Sequence, residues 1–264
     1  MAPRAPEGPR RPESFEQQAI RVAACADVHC RTDRPNPTVE AFAGRDAEAD
    51  LLLIAGDLTT YGKPEEAQIL ADACRGLDLP VYVVLGNHDW HSDQADEVTA
   101  VLSSGGIHVL DRAWAIEEIN GVDVGIVGAK GFVGGFAGSH LPDFGEPSLR
   151  GIYRETCEEV EGLERGLAEV AVCPLRVVLM HYAPISDTLV GERPEIWTFL
   201  GTDRLAAPLI DHSPDLVVHG HAHAGTFAGK VGEVEVFNVS VPVIGREYWL
   251  FELEAEAAAR SAIH

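Results

Sequence analysis

The chain has 264 residues, of which 46% are hydrophobic and 23% charged, so it is long enough to bury a sizeable core. No segment reaches the roughly 18 consecutive apolar residues that a membrane span needs. The Pro-, Arg- and Glu-rich start also lacks the apolar core of a signal peptide. We therefore expect a cytoplasmic protein without a membrane partner, with a flexible tail over residues 1–17 and a single domain over residues 18–264.

The formal net charge is −22, from 42 acidic and 20 basic residues. A surface this acidic repels nucleic acid and anionic membranes at long range, so we expect neither as a partner. Phosphate esters are repelled for the same reason. A phosphate-binding site in this chain would therefore need a strongly positive group of its own.

Short apolar runs that alternate with stretches of helical spacing predict an α/β fold. The predicted strands are Ile20–Ala26, Leu51–Ala55, Val81–Leu85, Val122–Val127, Val177–Met180, Leu216–Val218, Glu233–Val239 and Tyr248–Leu253. The predicted helices are Thr38–Glu48, Pro64–Arg75, Gln94–Leu102, Glu155–Val170 and Asp203–Ile210. The segments Ile119–Val122 and Gly229–Glu233 have the composition of hairpin turns.

Polar residues follow five of the predicted strands directly. Ligand sites in α/β sheets form beyond the carboxyl ends of strands, so this pattern predicts one shared site. The residues are Asp27 and His29 after the first strand, Asp57 after the second, Asn87, His88 and Asp89 after the third, His181 after Val177–Met180, and His221 and His223 after Leu216–Val218.

The spacing of these residues is typical of metal ligands. Asp27 and His29, like His221 and His223, are two residues apart, which in extended chain places both on one side about 6.6 Å apart. Such pairs can bind one ion or two neighbouring ions about 3.5–4 Å apart. Carboxylate and amide oxygens with imidazole nitrogens favour borderline divalent metals such as Mn, Fe, Zn, Co or Ni.

The motifs D-x-H, G-D, G-N-H-D, H and G-H-x-H occur in this order between Asp27 and His223, and the chain resembles the calcineurin-like metallophosphoesterase family. The resemblance implies a four-layer α-β-β-α sandwich of two mixed sheets flanked by helices, with two divalent metal ions (Mn, Fe, Zn or a mixture) at the strand ends. One ion would be held by Asp27, His29 and His223, the other by Asn87, His181 and His221, and Asp57 would bridge them. The ions add more positive charge than the two aspartates cancel, which leaves the site locally cationic.

The resemblance also implies an activity, the metal-dependent hydrolysis of a small phosphate ester, either a diester or a monoester. A metal-bridging hydroxide would attack, with His88 beside the phosphate to protonate the leaving oxygen. Asn87 would bind metal as a neutral oxygen ligand next to the substrate. We expect Asp89 to orient an imidazole.

Two segments outside the motifs are candidates for substrate contacts. Lys130 lies in the glycine-rich loop 128–138, which lacks the pattern of a nucleotide-binding P-loop, and is a candidate ligand of the substrate. The segment Ile185–Leu200, with Arg193, Trp197 and Phe199, could form a wall of the pocket. The other six histidines match no ligand position and are interpreted as surface, core or loop residues.

Departures from individual branches of the family narrow the function. Protein Ser/Thr phosphatases have an arginine shortly after the Gly-Asp motif, but residues 58–62 of this chain contain none. Purple acid phosphatases have a tyrosine three residues after the bridging aspartate, where this chain has Thr60. His88 argues against the lipid-A pathway hydrolases. The remaining resemblance is to small bacterial-type phosphodiesterases and phosphomonoesterases, including class III cyclic-nucleotide enzymes. A nuclease of the family is disfavoured by the acidic charge, and a non-catalytic scaffold by the complete ligand set, but both stay open.

Overall fold

The computed structural model describes residues 19–42 and 48–255. The predicted tail at residues 1–17 and residues 43–47 of the first predicted helix lie outside the described residues. The strands are β1 (Ala19–Cys25), β2 (Leu51–Ala55), β3 (Val81–Val84), β4 (His108–Val109), β5 (Ala113–Ile119), β6 (Val122–Ala129), β7 (Gly135–Phe136), β8 (Ser139–His140), β9 (Leu175–Met180), β10 (Leu216–His219), β11 (Ala228–Val231), β12 (Val234–Asn238) and β13 (Trp249–Glu254). The helices are α1 (Pro37–Glu40), α2 (Pro64–Cys74), α3 (Ala95–Ser104), α4 (Pro147–Glu169), α5 (Trp197–Leu200), α6 (Ala206–His212) and α7 (Val241–Ile244).

The strands form two large mixed sheets and a small β7–β8 hairpin. The first sheet has the order β13-β1-β2-β3-β4, in which only β13 is antiparallel to its neighbour. The second has the order β11-β12-β10-β9-β6-β5, with a parallel centre and antiparallel strands at both edges. The central strands are almost wholly apolar, as strands covered on both faces must be.

Side chains from the facing sides of the two sheets form one core, which includes Val22, Leu53 and Val84 from the first sheet and Ile126 and Val177 from the second. A second cluster joins the outer face of the first sheet to α2 and α3. A third joins the outer face of the second sheet to α4 and α6. The predicted four-layer α-β-β-α sandwich of two mixed sheets is therefore confirmed.

Each predicted strand is present to within two residues, but the sequence did not predict β4, β5, β7, β8 or β11. The turn at Asn120-Gly121 is confirmed, with positive φ at both residues, as a tight hairpin between β5 and β6 requires. The predicted turn Gly229–Glu233 is misplaced, because Gly229–Val231 lie in β11 and the turn is at Gly232 and Glu233. Among the described residues, no helix is both long and apolar enough to cross a membrane.

Candidate metal centre

The carboxyl ends of β1, β2, β3, β9 and β10 meet at one edge of the sandwich, and the residues that follow them form two groups of possible metal ligands. Within each group the ligand atoms lie within 4.8 Å of one another, and Asp57 belongs to both groups. The first group is Asp27, His29, Asp57 and His223, and the second is Asp57, His181 and His221. Asn87 joins the second group, since its Oδ1 atom lies 2.9 Å from Nε2 of His181.

The backbone is held in an unfavourable conformation at four of these residues. Asp27, His29, Asp57 and His221 all have positive φ, at 59°, 46°, 51° and 70°. They make up half of the eight non-glycine residues with positive φ in the described part of the chain. Such conformations persist only where the surroundings impose them, and they cluster at functional sites.

Two motif glycines allow the ligand loops to approach one another. A Cβ atom on Gly220 would lie 2.7 Å from Oδ2 of Asp27, and one on Gly86 would overlap the Asp57 carboxylate. A side chain at either position would displace a ligand. The glycines of the G-N-H-D and G-H-x-H motifs are therefore required by packing at the site itself.

A hydrogen bond fixes which nitrogen of the His181 imidazole faces the centre. Nδ1 of His181 lies 2.9 Å from the Ala55 carbonyl and donates to it, so Nε2 of the neutral ring carries a lone pair. That atom faces the Asn87 Oδ1 atom and lies 3.4 Å from Oδ1 of Asp57. Three electron-pair donors thus point at one another, which is the arrangement that a cation stabilises.

Burial keeps three of the four candidate imidazole ligands neutral. It lowers the pKa of His29 to about 4 and that of His221 to about 3, and it also lowers the pKa of His181. Nε2 of His221 lies 3.2 Å from the Phe199 carbonyl, which leaves Nδ1 as its available ligand atom. Neutral imidazoles are the form that binds metal.

The two aspartates differ in their electrostatics. Burial, together with the nearby charges of Asp27 and Asp89, raises the pKa of Asp57 to about 8. Burial acts to raise the pKa of Asp27, but the hydrogen bond from His223 is the largest of the effects that oppose it, and that pKa lies below the usual value. A buried carboxyl group with a raised pKa beside neutral imidazoles is one that a divalent cation would ionise, so the donor set fits such ions.

His88 lies at the edge of this centre. Its backbone N–H donates to Oδ1 of Asp57 at 2.8 Å, and its Nδ1 atom lies 2.8 Å from the carbonyl of Thr60. This leaves Nε2, 4.0 Å from Oδ2 of Asp57, directed towards the ligands. The side chain is 32% exposed, so a substrate can reach it.

The structure corrects the expectation that Asp89 orients an imidazole. The Asp89 carboxylate is fully buried and accepts hydrogen bonds from the backbone N–H groups of Gly86, Leu58 and Thr59 and from the Thr59 hydroxyl. Within the described residues, none of its hydrogen bonds involves a histidine. Asp89 instead joins the loop after β2 to the loop after β3.

Lys130 packs beside the centre rather than against the ligand atoms. Its Nζ atom lies 4.2 Å from the ring centre of Phe132 and 5.5 Å from that of Tyr182, and burial lowers its pKa. Its carbonyl accepts the backbone N–H groups of His181 and Tyr182 and so helps to position His181. A contact between its side chain and the substrate remains a prediction.

The segment 185–200 contacts the site through its backbone, by the Phe199 carbonyl that binds His221. Trp197 packs in a small apolar cluster, whereas Arg193 is 81% exposed and lies near Glu195. Of the other histidines, His219 is a buried core residue, hydrogen-bonded to the Thr188 hydroxyl, as expected.

The sequence analysis missed two arginines at the centre. A cavity of about 360 Å³ is lined by Asp27 and His29 and also by Arg31 and Arg34. A signal was present, because two arginines within five residues of a candidate ligand stand out in a chain with twice as many acidic as basic residues.

Comparisons with known proteins agree with this fold. A family model described as calcineurin-like phosphoesterase matches residues 20–225. The structure is similar to phosphopantetheinyl hydrolase (PptH) from Mycobacterium tuberculosis, with 16% identity, a TM-score of 0.59 and coverage of 88% of this chain and 95% of that one. It is also similar to TT1561 of Thermus thermophilus, with 16% identity, a TM-score of 0.52 and coverage of 90% and 100%. No curated protein matches the sequence.

Two mixed sheets between helices, with Asp and His ligands at their strand ends, define a metallophosphoesterase. The family match covers well over half of the chain, which therefore belongs to the calcineurin-like phosphoesterase family, as the order of its motifs predicts. The structural likenesses, at 16% identity, show the fold.

Proposed function

We propose that the protein hydrolyses a small phosphate ester with two divalent metal ions, one bound by Asp27, His29 and His223 and the other by Asn87, His181 and His221. The observation that carries the proposal is the position of Asp57, which is shared by both ligand groups. A carboxylate with two oxygens can bind one ion with each of them. It also offsets the mutual repulsion of the two ions.

The residues present keep such a site cationic. Bound divalent ions would lower the pKa of a water molecule and neutralise charge on the phosphate. Because the imidazoles of His29 and His221 are neutral and Asn87 is an amide, only Asp27 and Asp57 reduce the positive charge. An anionic substrate can therefore bind inside a chain of charge −22.

His88, in its doubly protonated form, is the proposed proton donor to the leaving oxygen. Its Nδ1 atom is occupied by the Thr60 carbonyl, which fixes the ring with Nε2 towards the site. The backbone hydrogen bond from His88 to Asp57 ties this ring to the bridging carboxylate. A proton donor positioned in this way typically contributes about 10²–10⁴-fold to the rate.

Asp89 supports the site as a positioning residue. Its carboxylate holds the backbone of Gly86, which precedes Asn87, and of Leu58, which follows Asp57. Two of the loops that carry proposed ligands of the second ion, those after β2 and β3, are thereby anchored to one buried group.

The proposal is tested by assaying a panel of phosphomonoesters and phosphodiesters with chelator-treated protein, before and after addition of Mn, Zn or Fe(II). We expect turnover only after metal addition. Asp143→Asn, which removes one carboxylate from an exposed loop, is the matched control and should respond to metal addition like the unchanged protein. Full turnover by metal-free protein would contradict the proposal.

A further inference from the structure

One side of the candidate metal centre opens into the cavity of about 360 Å³ that the sequence analysis did not foresee. The candidate ligands Asp27 and His29 form its inner wall, and Arg31 and Arg34 line it further out. The remaining wall is formed by residues 35–37 and by Val241 and Pro242. A cavity of this volume holds a group larger than the reacting phosphate.

Arg31 is fixed in place with part of its guanidinium available. Its Nε and Nη2 atoms donate to the two carboxylate oxygens of Asp33, at 2.8 and 2.6 Å. The group also lies 5.6 Å from the ring centre of Tyr61. Among the described residues no hydrogen bond engages Nη1, so this amino group can donate to a ligand without breaking the existing pair.

Arg34 supplies a second cation, which has no ion-pair partner among residues 19–42 and 48–255. Its side chain is exposed, and no carboxylate among the described residues lies within ion-pair distance of it. Asp33 offsets one of the two arginines, so the outer wall carries a net charge of about +1 by this count. In a chain of charge −22, such an arginine beside a phosphoesterase centre is a feature that needs an explanation.

The loop that carries the arginines is held in place relative to the metal ligands. The Asn36 side chain donates to the Val28 carbonyl at 2.6 Å and accepts from the Thr38 N–H at 3.2 Å. The backbone N–H of His29 donates to the Asp57 carbonyl at 2.9 Å. The loop between His29 and Asn36 is thus anchored at both ends, which limits the entropy lost when a ligand binds there.

We propose that this cavity binds a second anionic group of the substrate, a carboxylate or a further phosphate on the molecule that carries the scissile phosphate. Arg31, through Nη1, and Arg34 would contact it, since guanidinium groups match the geometry of carboxylates and phosphates. The inference rests on the proposed function, because the reacting phosphate must lie at the metal centre.

The test measures the inhibition of bis(p-nitrophenyl) phosphate hydrolysis by matched pairs of phosphate compounds in the Mn-loaded enzyme. One pair is 3-phosphoglycerate and glycerol 3-phosphate, which differ by a carboxylate. The other is fructose 1,6-bisphosphate and fructose 6-phosphate, which differ by a phosphate at longer reach. A competing substrate acts as a competitive inhibitor, so the ratio of inhibition constants is informative whether or not a compound is hydrolysed.

We expect the compound with the second anion to bind about tenfold more tightly in at least one pair, as a charge-assisted hydrogen bond provides. The preference should fall to near unity in Arg31→Gln and Arg34→Gln combined. It should persist in Arg75→Gln, which removes an exposed arginine that is likewise paired with an aspartate, Asp72, but lies outside the cavity. Taking a ratio within each variant cancels any general loss of activity.

The outcomes separate this inference from the proposed function. Hydrolysis without a preference for the second anion, or a preference that survives in the double variant, would overturn the inference and leave the proposed function standing. No hydrolysis with any metal would overturn the proposed function and this inference with it.

Discussion

The Asp57 carboxylate accepts a 2.8 Å hydrogen bond from the backbone N–H of His88. This bond joins the residue shared by both ligand groups to the residue proposed to donate the proton. Three of the predictions below follow from the chemistry of these two residues, and one from the buried carboxylate that holds their loops.

The first prediction concerns the pH dependence of stability in chelator-treated protein. The pKa of Asp57 is raised to about 8 in the folded protein, against an ordinary value of 3.8. The folded state therefore holds a proton that the unfolded chain has released. The contribution of this proton to the free energy of unfolding is present at lower pH. It is lost as the pH rises towards and through 8, by at most about 1.4 kcal/mol per pH unit.

The histidines do not reverse this sign above pH 7. The pKa values of His29 and His221 are lowered, so these residues cost stability as the pH falls below about 6.5 and leave it unchanged above that pH. The raised pKa of His223 acts in the same direction as that of Asp57. We expect the melting temperature to fall between about pH 7 and pH 8.5, and to fall less in Asp57→Asn. An identical slope in both proteins would show that Asp57 is ionised throughout.

The second prediction concerns the hydrogen bonds of Asp89. Thr59→Val keeps the shape of the side chain and removes the hydroxyl, which donates to this carboxylate at 2.6 Å and accepts from the Gly62 N–H at 3.1 Å. We expect the free energy of unfolding to fall by about 1–3 kcal/mol, measured by chemical denaturation. Thr99→Val, which removes a hydroxyl from an incompletely buried position on α3, is the matched control and should have a smaller effect. Equal effects would mean that Asp89 is satisfied without the hydroxyl.

The third prediction tests the role of His88. An alkoxide leaving group needs a proton, whereas p-nitrophenolate is stable as an anion. His88→Ala should therefore lower kcat by about 10²–10⁴-fold for an alkyl or ribose ester and much less for a nitrophenyl ester, while elemental analysis still finds the metal bound. His108→Ala, at an exposed histidine stacked on Tyr82, is the control.

Equal losses on both esters would indicate that His88 stabilises charge without transferring a proton. No loss of kcat on either ester would mean that His88 takes no part in the reaction. The segment 86–89 would then be a turn that ends a strand and carries a ligand.

The sequence predicted what depends on local pattern. The apolar runs of β1, β2 and β3 and the motifs after them are visible because burial on both faces requires continuous apolar residues. The edge strand β5 was missed because its seven residues include two glutamates. The start of α4 at Pro147 was also missed, although proline at the first turn is a recognised signal.

The contacts of the site depend on tertiary structure and could not be predicted. Asp89 follows His88, which favours a role next to an imidazole, but its partners Leu58 and Thr59 lie some thirty residues earlier in the chain. The Phe199 carbonyl lies in the short helix α5 and reaches His221 22 residues later in the chain, beyond α6 and β10. Arg31 and Arg34 stand out in sequence as two arginines close to His29 in an acidic chain, but only the cavity shows that they lie on the same side as the centre.

The central claim is that Asp57 bridges two ions, and the most direct test is to measure metal content and activity together while metal-free protein is titrated with Mn. The account predicts that activity rises until two ions are bound per chain. It also predicts that Asp57→Asn weakens binding of both ions, whereas Asn87→Ala weakens mainly one, since Asn87 lies beside His181, which belongs to the second ligand group only. Full activity with one ion or none, or two tightly bound ions in Asp57→Asn, would contradict it.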